Sequence, residues 1–110
     1  MCDPLTLRVR ALNDRARATF TGCRVVLTRG VADLDPALVR EVLRRVRAFD
    51  GFTPSNDPYG EHDFGAFTVA EHEFFWKIDY YDVDLVMRSP DPSDHTVTQR
   101  VLTIMLAEEY

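Results

Sequence analysis

The sequence predicts an α+β domain: two helices packed on one face of a four-stranded, mostly antiparallel sheet, in the order α-β-α-β-β-β. Three observations predict it. Two stretches in the first half repeat apolar residues every three or four positions, the helical period. The aromatic-rich stretch 64–82 alternates with period two, as paired strands do. The closing "RVLTIMLAEEY" is apolar in both alternating sets, which suits a strand buried inside a sheet. A short C-terminal helix is the alternative for that last segment.

The first helix begins at Asp3, a capping residue, with Pro4 in its first turn. Leu5, Val9, Leu12, Ala16 and Phe20 form its apolar stripe, with Arg8, Arg15 and Arg17 off it and Gly22 as the stop. "CRVVLTRGV", residues 23–31, is rich in β-branched residues and reads as a strand bounded by Gly30. The second helix opens on Asp35-Pro36. It buries Leu38, Val42, Val46 and Phe49, with Val39 and Leu43 beside them. Arg40, Arg44 and Arg47 face away, and Glu41 can pair with Arg45 four residues on. First strand, second helix and second strand make one candidate right-handed crossover.

Residues 50–63 show no periodicity, and Asp57-Pro58-Tyr59-Gly60 fits a β-turn. An irregular segment this long in a compact domain is usually functional or disordered, and Phe52 and Tyr59 argue for anchoring. In the hairpin that follows, Phe74, Trp76, Ile78 and Tyr80 form one face, matched by Gly65, Phe67 and Val69. With Glu71-His72 as the turn, Phe67 lies opposite Trp76 and Val69 opposite Phe74. Continued outward, His62 meets Tyr81, and Phe64 meets Asp79. His62, Phe64, Phe75, Lys77, Asp79 and Tyr81 then share the outer face, with Glu61, Asp63 and Asp82 at its rim. Residues 83–97 are a second long connection, with turn chemistry at Ser89–Asp94.

The whole chain, 1–110, is expected to be a single domain. No apolar run is long enough to cross a bilayer, and no basic start precedes an apolar stretch. A soluble cytoplasmic protein is expected. Cys2 and Cys23 flank the first helix. About 15 helical residues span about 22 Å, too far for a direct disulfide. Cys23 reads as a small buried hydrophobe and Cys2 as an incidental thiol.

Charge is uneven. Residues 1–49 carry a balance of +5 and residues 50–110 a balance of −10. Such asymmetry can mark a nucleic-acid or protein-binding face, but arginines solvating two amphipathic helices account for the first half. With a sequence pI near 5.0, the chain lacks the basic footprint of a nucleic-acid binder.

"LNDRAR", "VVLTRGV", "FTPSNDPYGEHDFGAF", "WKIDYYD", "SPDP" and "RVLTIMLAEEY" together resemble a family of short bacterial proteins catalogued as a domain of unknown function. The resemblance covers nearly the whole chain. It implies a bacterial cytoplasmic protein, from a plasmid or other mobile element. It carries over no activity, cofactor or catalytic residue.

Three functional readings follow from the residues. The first is a non-enzymatic binding or regulatory domain acting through the outer sheet face and the 50–63 loop. His62, Phe75, Lys77, Asp79 and Tyr81 are its contacts, with a protein partner or a second copy as occupant and no cofactor. The second is a metal-dependent hydrolase or nuclease. Glu61, His62, Asp63, Asp79 and Asp82 would hold a divalent ion such as Mn²⁺ or Mg²⁺, and Lys77 would steady a phosphate. Against it, neighbours at 61, 62 and 63 alternate faces in a strand, and turn capping uses the same residue types. The third is an acidic inhibitor of a nucleic-acid enzyme, built on the thirteen acids of the second half. No glycine-rich phosphate loop and no nucleophile arrangement stands out.

Overall fold

Two aspartates start the two long helices, as their chemistry dictates. In the structure, a computed structural model describing residues 3–110, the Asp3 carboxylate accepts the Thr6 N–H and opens α1 (Pro4–Thr19). The reading of Cys2 lies outside the described residues. Helix α1 ends at Phe20, which takes the left-handed conformation at φ 56° and donates its N–H to Ala16 O. Gly22 adopts φ 69° two residues later, so the stop comes earlier than the glycine. Val9 and Ala16 are buried, Leu12 and Phe20 partly so, and Leu5 is exposed. Asn13 and Arg17 are buried instead, which corrects the placing of Arg17 off the packed stripe.

Strand β1 (Cys23–Leu27) is shorter than the sequence suggests. At Thr28 the chain turns into a single helical turn, α2 (Arg29–Ala32), which buries Val31 completely. The cause is remote. The Glu109 carboxylate accepts the Thr28 hydroxyl at 2.6 Å and the Gly30 N–H at 3.0 Å. A Cβ on Gly30 would lie 2.7 Å from that carboxylate, so a larger residue there would displace the Glu109 side chain. Helix α3 (Pro36–Arg47) opens with the Asp35 carboxylate on the Ala37 N–H and buries Val42 and Val46 fully. Glu41 pairs with Arg44, three residues on, rather than with Arg45.

Three further strands complete the sheet: β2 (Phe64–Val69), β3 (His72–Tyr81) and β4 (Gln99–Leu106). A 3-10 turn, Ala107–Glu109, follows β4, so the closing segment is a strand with a helical tip. The strand order is β1-β4-β3-β2; β1 runs parallel to β4, and the other pairs are antiparallel. This is the expected α+β architecture. The path from β1 through α3 to β2 therefore links opposite edges of the sheet, with β4 and β3 between.

The hairpin keeps the expected parity and shifts its offset. Ala70 and Glu71 form the turn, both with positive φ, so Phe67 pairs with Phe74 and Gly65 with Trp76. The glycine explains the shift. The Trp76 indole lies over it, and a Cβ there would stand 2.3 Å from Nε1. The largest side chain sits opposite the smallest. Phe67, Phe74, Trp76, Ile78, Leu102 and Ile104 then face Val31, Val42 and Val46 in one core. Burying this apolar surface is the main stabilising term.

Candidate functional site

Residues 50–63 are ordered by polar groups of α1. The β-turn forms as the sequence predicts, with the Gly60 N–H donating to Asp57 O. Phe52 packs against the core, whereas Tyr59 points into solvent. Arg10 donates to Gly60 O, and the Asn13 amide donates to Glu61 O.

His62 has φ 55°, which turns its side chain away from the strand alternation. Its ring stacks on Phe52 with centroids 3.7 Å apart and planes 1° from parallel. Nδ1 lies 2.8 Å from the Asp14 carboxylate of α1, and Nε2 lies 3.6 Å from that of Asp57. His62 is therefore on the helix side. This overturns the expectation that it shares the outer face with Asp79 and lies opposite Tyr81. Phe64 lies opposite Lys77, not Asp79.

Glu61 also turns inward. Its carboxylate accepts the Tyr80 hydroxyl at 2.7 Å, and that hydroxyl accepts from the Asn13 amide. Burial first, and the bond to Glu61 second, push the Tyr80 phenol far above its ordinary range. Asn13 Oδ1 in turn accepts from Arg100 Nε at 2.7 Å. Asp63 uses its carbonyl to accept the Ile78 N–H. Its half-buried carboxyl is held above the usual carboxylate range by burial, then by Glu61, with Asp57 and Asp79 adding. Asp82 caps a turn, its carboxylate accepting the Val86 N–H.

Phe75, Lys77, Asp79 and Tyr81 do share the outer face. Lys77 and Asp79 form an ion pair at 2.9 Å, and that bond raises the Lys77 ammonium above its ordinary value. Phe64 and Phe75 are half-buried with ring centres 5.2 Å apart, and Tyr110 rests against both. Met105, paired with Phe75, is buried, while Ala66 and Thr68 are exposed.

The five residues of the metal reading are thus split among the helix side, the sheet edge, the outer face and a turn. Among the described residues, no group of three or more histidine, cysteine or acidic side chains gathers as a metal site would. Sequence reasoning missed the turn after β3. There Val83, Val86 and Met87 are exposed, with Arg88 bridging back to Tyr81. The signal was present in "VDLVM", whose apolar residues follow a strand without its alternation. No helix of the described residues is long and apolar enough to cross a membrane.

Comparison with known proteins sharpens the first resemblance. No curated protein and no solved structure matches the chain significantly. A family model described as "Protein of unknown function (DUF3768)" matches residues 27–109, from the end of β1 to the 3-10 turn. The "LNDRAR" segment of α1, which grips the 50–63 loop, precedes the matched region. The match spans well over half of the chain, so the chain belongs to the DUF3768 family of proteins of unknown function.

Proposed function

We propose that this protein is a non-enzymatic binding domain that docks a second protein surface through the outer, partly covered face of its sheet. One observation carries the reading. The apolar helix residues pack against one parity of sheet residues, and the other parity presents a half-exposed aromatic cluster beside a charged pair. Exposed apolar groups rimmed by charge suit protein recognition. Phe64 and Phe75 supply area, and Lys77, Asp79 and Tyr81 supply orientation. The Val83–Met87 turn extends the surface from the end of β3. His62 contributes indirectly, by holding the loop that leads into β2. The acidic-mimic reading has less support, because Glu61 and Asp57 face groups of the fold itself.

The test combines sizing with capture. The native protein is chromatographed with mass detection and used to pull down partners. An Asp79→Arg/Tyr81→Ala variant and a Phe75→Ser variant are treated alike after matching their melting curves. Loss of a dimer mass, or of a captured protein, in both variants supports the reading. Unchanged mass together with unchanged captured proteins overturns it.

A further inference from the structure

The cluster least explained by binding at the sheet face lies across the domain, where α1 ends and the 93–100 segment enters β4. A cleft of about 320 Å³ is lined there by Leu12, Arg15, Thr21, Gly22, His95 and Arg100. A shallower recess shares Gly22 and His95 with it and adds Arg24. Neither lining includes a carboxylate, although the protein carries a net charge of −5.

Arg100 is the decisive residue. It is 2% exposed. Its guanidinium donates to Asn13 Oδ1 and to the Pro92 carbonyl and lies over the Tyr80 ring, all uncharged groups. Among the described residues it has no ion-pair partner. Glu61, the acid of this network, bonds the Tyr80 hydroxyl instead. The other buried arginine, Arg17, is paired with Asp14. Buried charges are almost always paired, because desolvation is costly without an opposite charge. Burial lowers the Arg100 pKa from its ordinary value, outweighing the opposing pull of Tyr80 and of the nearby Glu61 carboxylate, which favour its charge from beyond ion-pair distance. The Arg15 side chain is exposed and makes no hydrogen bond or ion pair among the described residues. Asp94, beside His95, directs its carboxylate to Thr96.

We propose that this cleft binds a small phosphate-bearing molecule, with Arg100 as its buried anchor and Arg15 closing on the anion from the rim. Guanidinium groups match phosphate oxygens with paired, charge-assisted hydrogen bonds. The volume falls at the small end of ligand pockets, and Leu12 offers apolar contact to an attached organic group. The site is separate from the sheet face, so the two proposals stand or fall independently.

Inorganic phosphate and a nucleoside monophosphate are titrated separately into the native protein and into Arg15→Glu, with chloride at matched ionic strength as the control. Melting temperature and the Arg100 side-chain N–H resonance are followed. Ligand binding raises the melting temperature in proportion to log concentration above the dissociation constant. The expected result is a rise in native protein, a moving Arg100 resonance, and at least about tenfold weaker binding in Arg15→Glu. Tighter binding of the nucleotide assigns the site to a phosphorylated organic molecule, and equal binding assigns it to the phosphate group alone. No rise beyond the chloride control, or a rise that Arg15→Glu retains in full, overturns the proposal.

Discussion

Helices α1 and α3 cover the same side of the sheet by opposite means. Helix α3 presents Val42 and Val46, both fully buried, to Phe67, Phe74 and Trp76. Helix α1 buries only the small apolar groups of Val9 and Ala16, and beside them Asn13 and Arg17. Arg17 donates to Val46 O and Arg47 O at the end of α3, and its charge lies 5.5 Å from both the Phe52 and Trp76 rings. Apolar packing tolerates small shifts of a helix, since dispersion and burial have little direction. A polar network is directional and admits few arrangements, since each unmatched group costs free energy, as Arg17 Nε, buried without a partner, already does. One helix supplies bulk stability, and the other sets the position of the 50–63 loop.

The largest effect should come from cutting the polar side. Asn13→Ala leaves Arg100 Nε and the Glu61 carbonyl without their Asn13 partner and removes one of the two bonds of the Tyr80 hydroxyl. At about 1–3 kcal/mol for each unsatisfied group, the loss should reach about 3 kcal/mol. Val46→Ala should cost about 2 kcal/mol through lost burial and a small cavity. Urea denaturation of both variants measures this. A larger loss in Val46→Ala would erase the proposed contrast between the helices.

His62→Ala removes the stacked ring and the bond to Asp14, at a cost of about 1–2 kcal/mol. Its sharper signature is local. Amide exchange should quicken across residues 52–62 and stay unchanged within α3. Equal acceleration in both would mean that the loop and α3 open together and that α1 does not hold the loop separately.

The smallest effect is one of pH. Asp63 has a raised folded pKa, so the native state binds more protons than the unfolded state between the two values. That contribution lowers stability as pH rises from about 3.9, the ordinary carboxylate value, through the higher folded value. Asp63→Asn should therefore melt higher than native protein at pH 7.5 and lose that advantage at pH 3. Solvent screening at this half-exposed site keeps the gain below about 1 kcal/mol. An equal gain at both pH values would show that ionisation is not the cause.

Several features were legible in the residues alone because their causes are local. Asp3-Pro4 and Asp35-Pro36 start helices through groups within three residues of each other. The alternation of Phe74, Trp76 and Ile78 sorted the hairpin faces, because the strand period is two whatever the offset. The β-turn at Asp57–Gly60 needed only its own four residues. The offset itself waited on Gly65 lying beneath Trp76. The inward turn of His62 depends on Asp14, 48 positions away, and the burial of Arg100 on Asn13, 87 positions away. Backbone propensity and periodicity act within a few residues, so a sequence states them directly. The pairing of one polar group with another is decided by which distant elements the core brings together, and so it exists only in the folded chain.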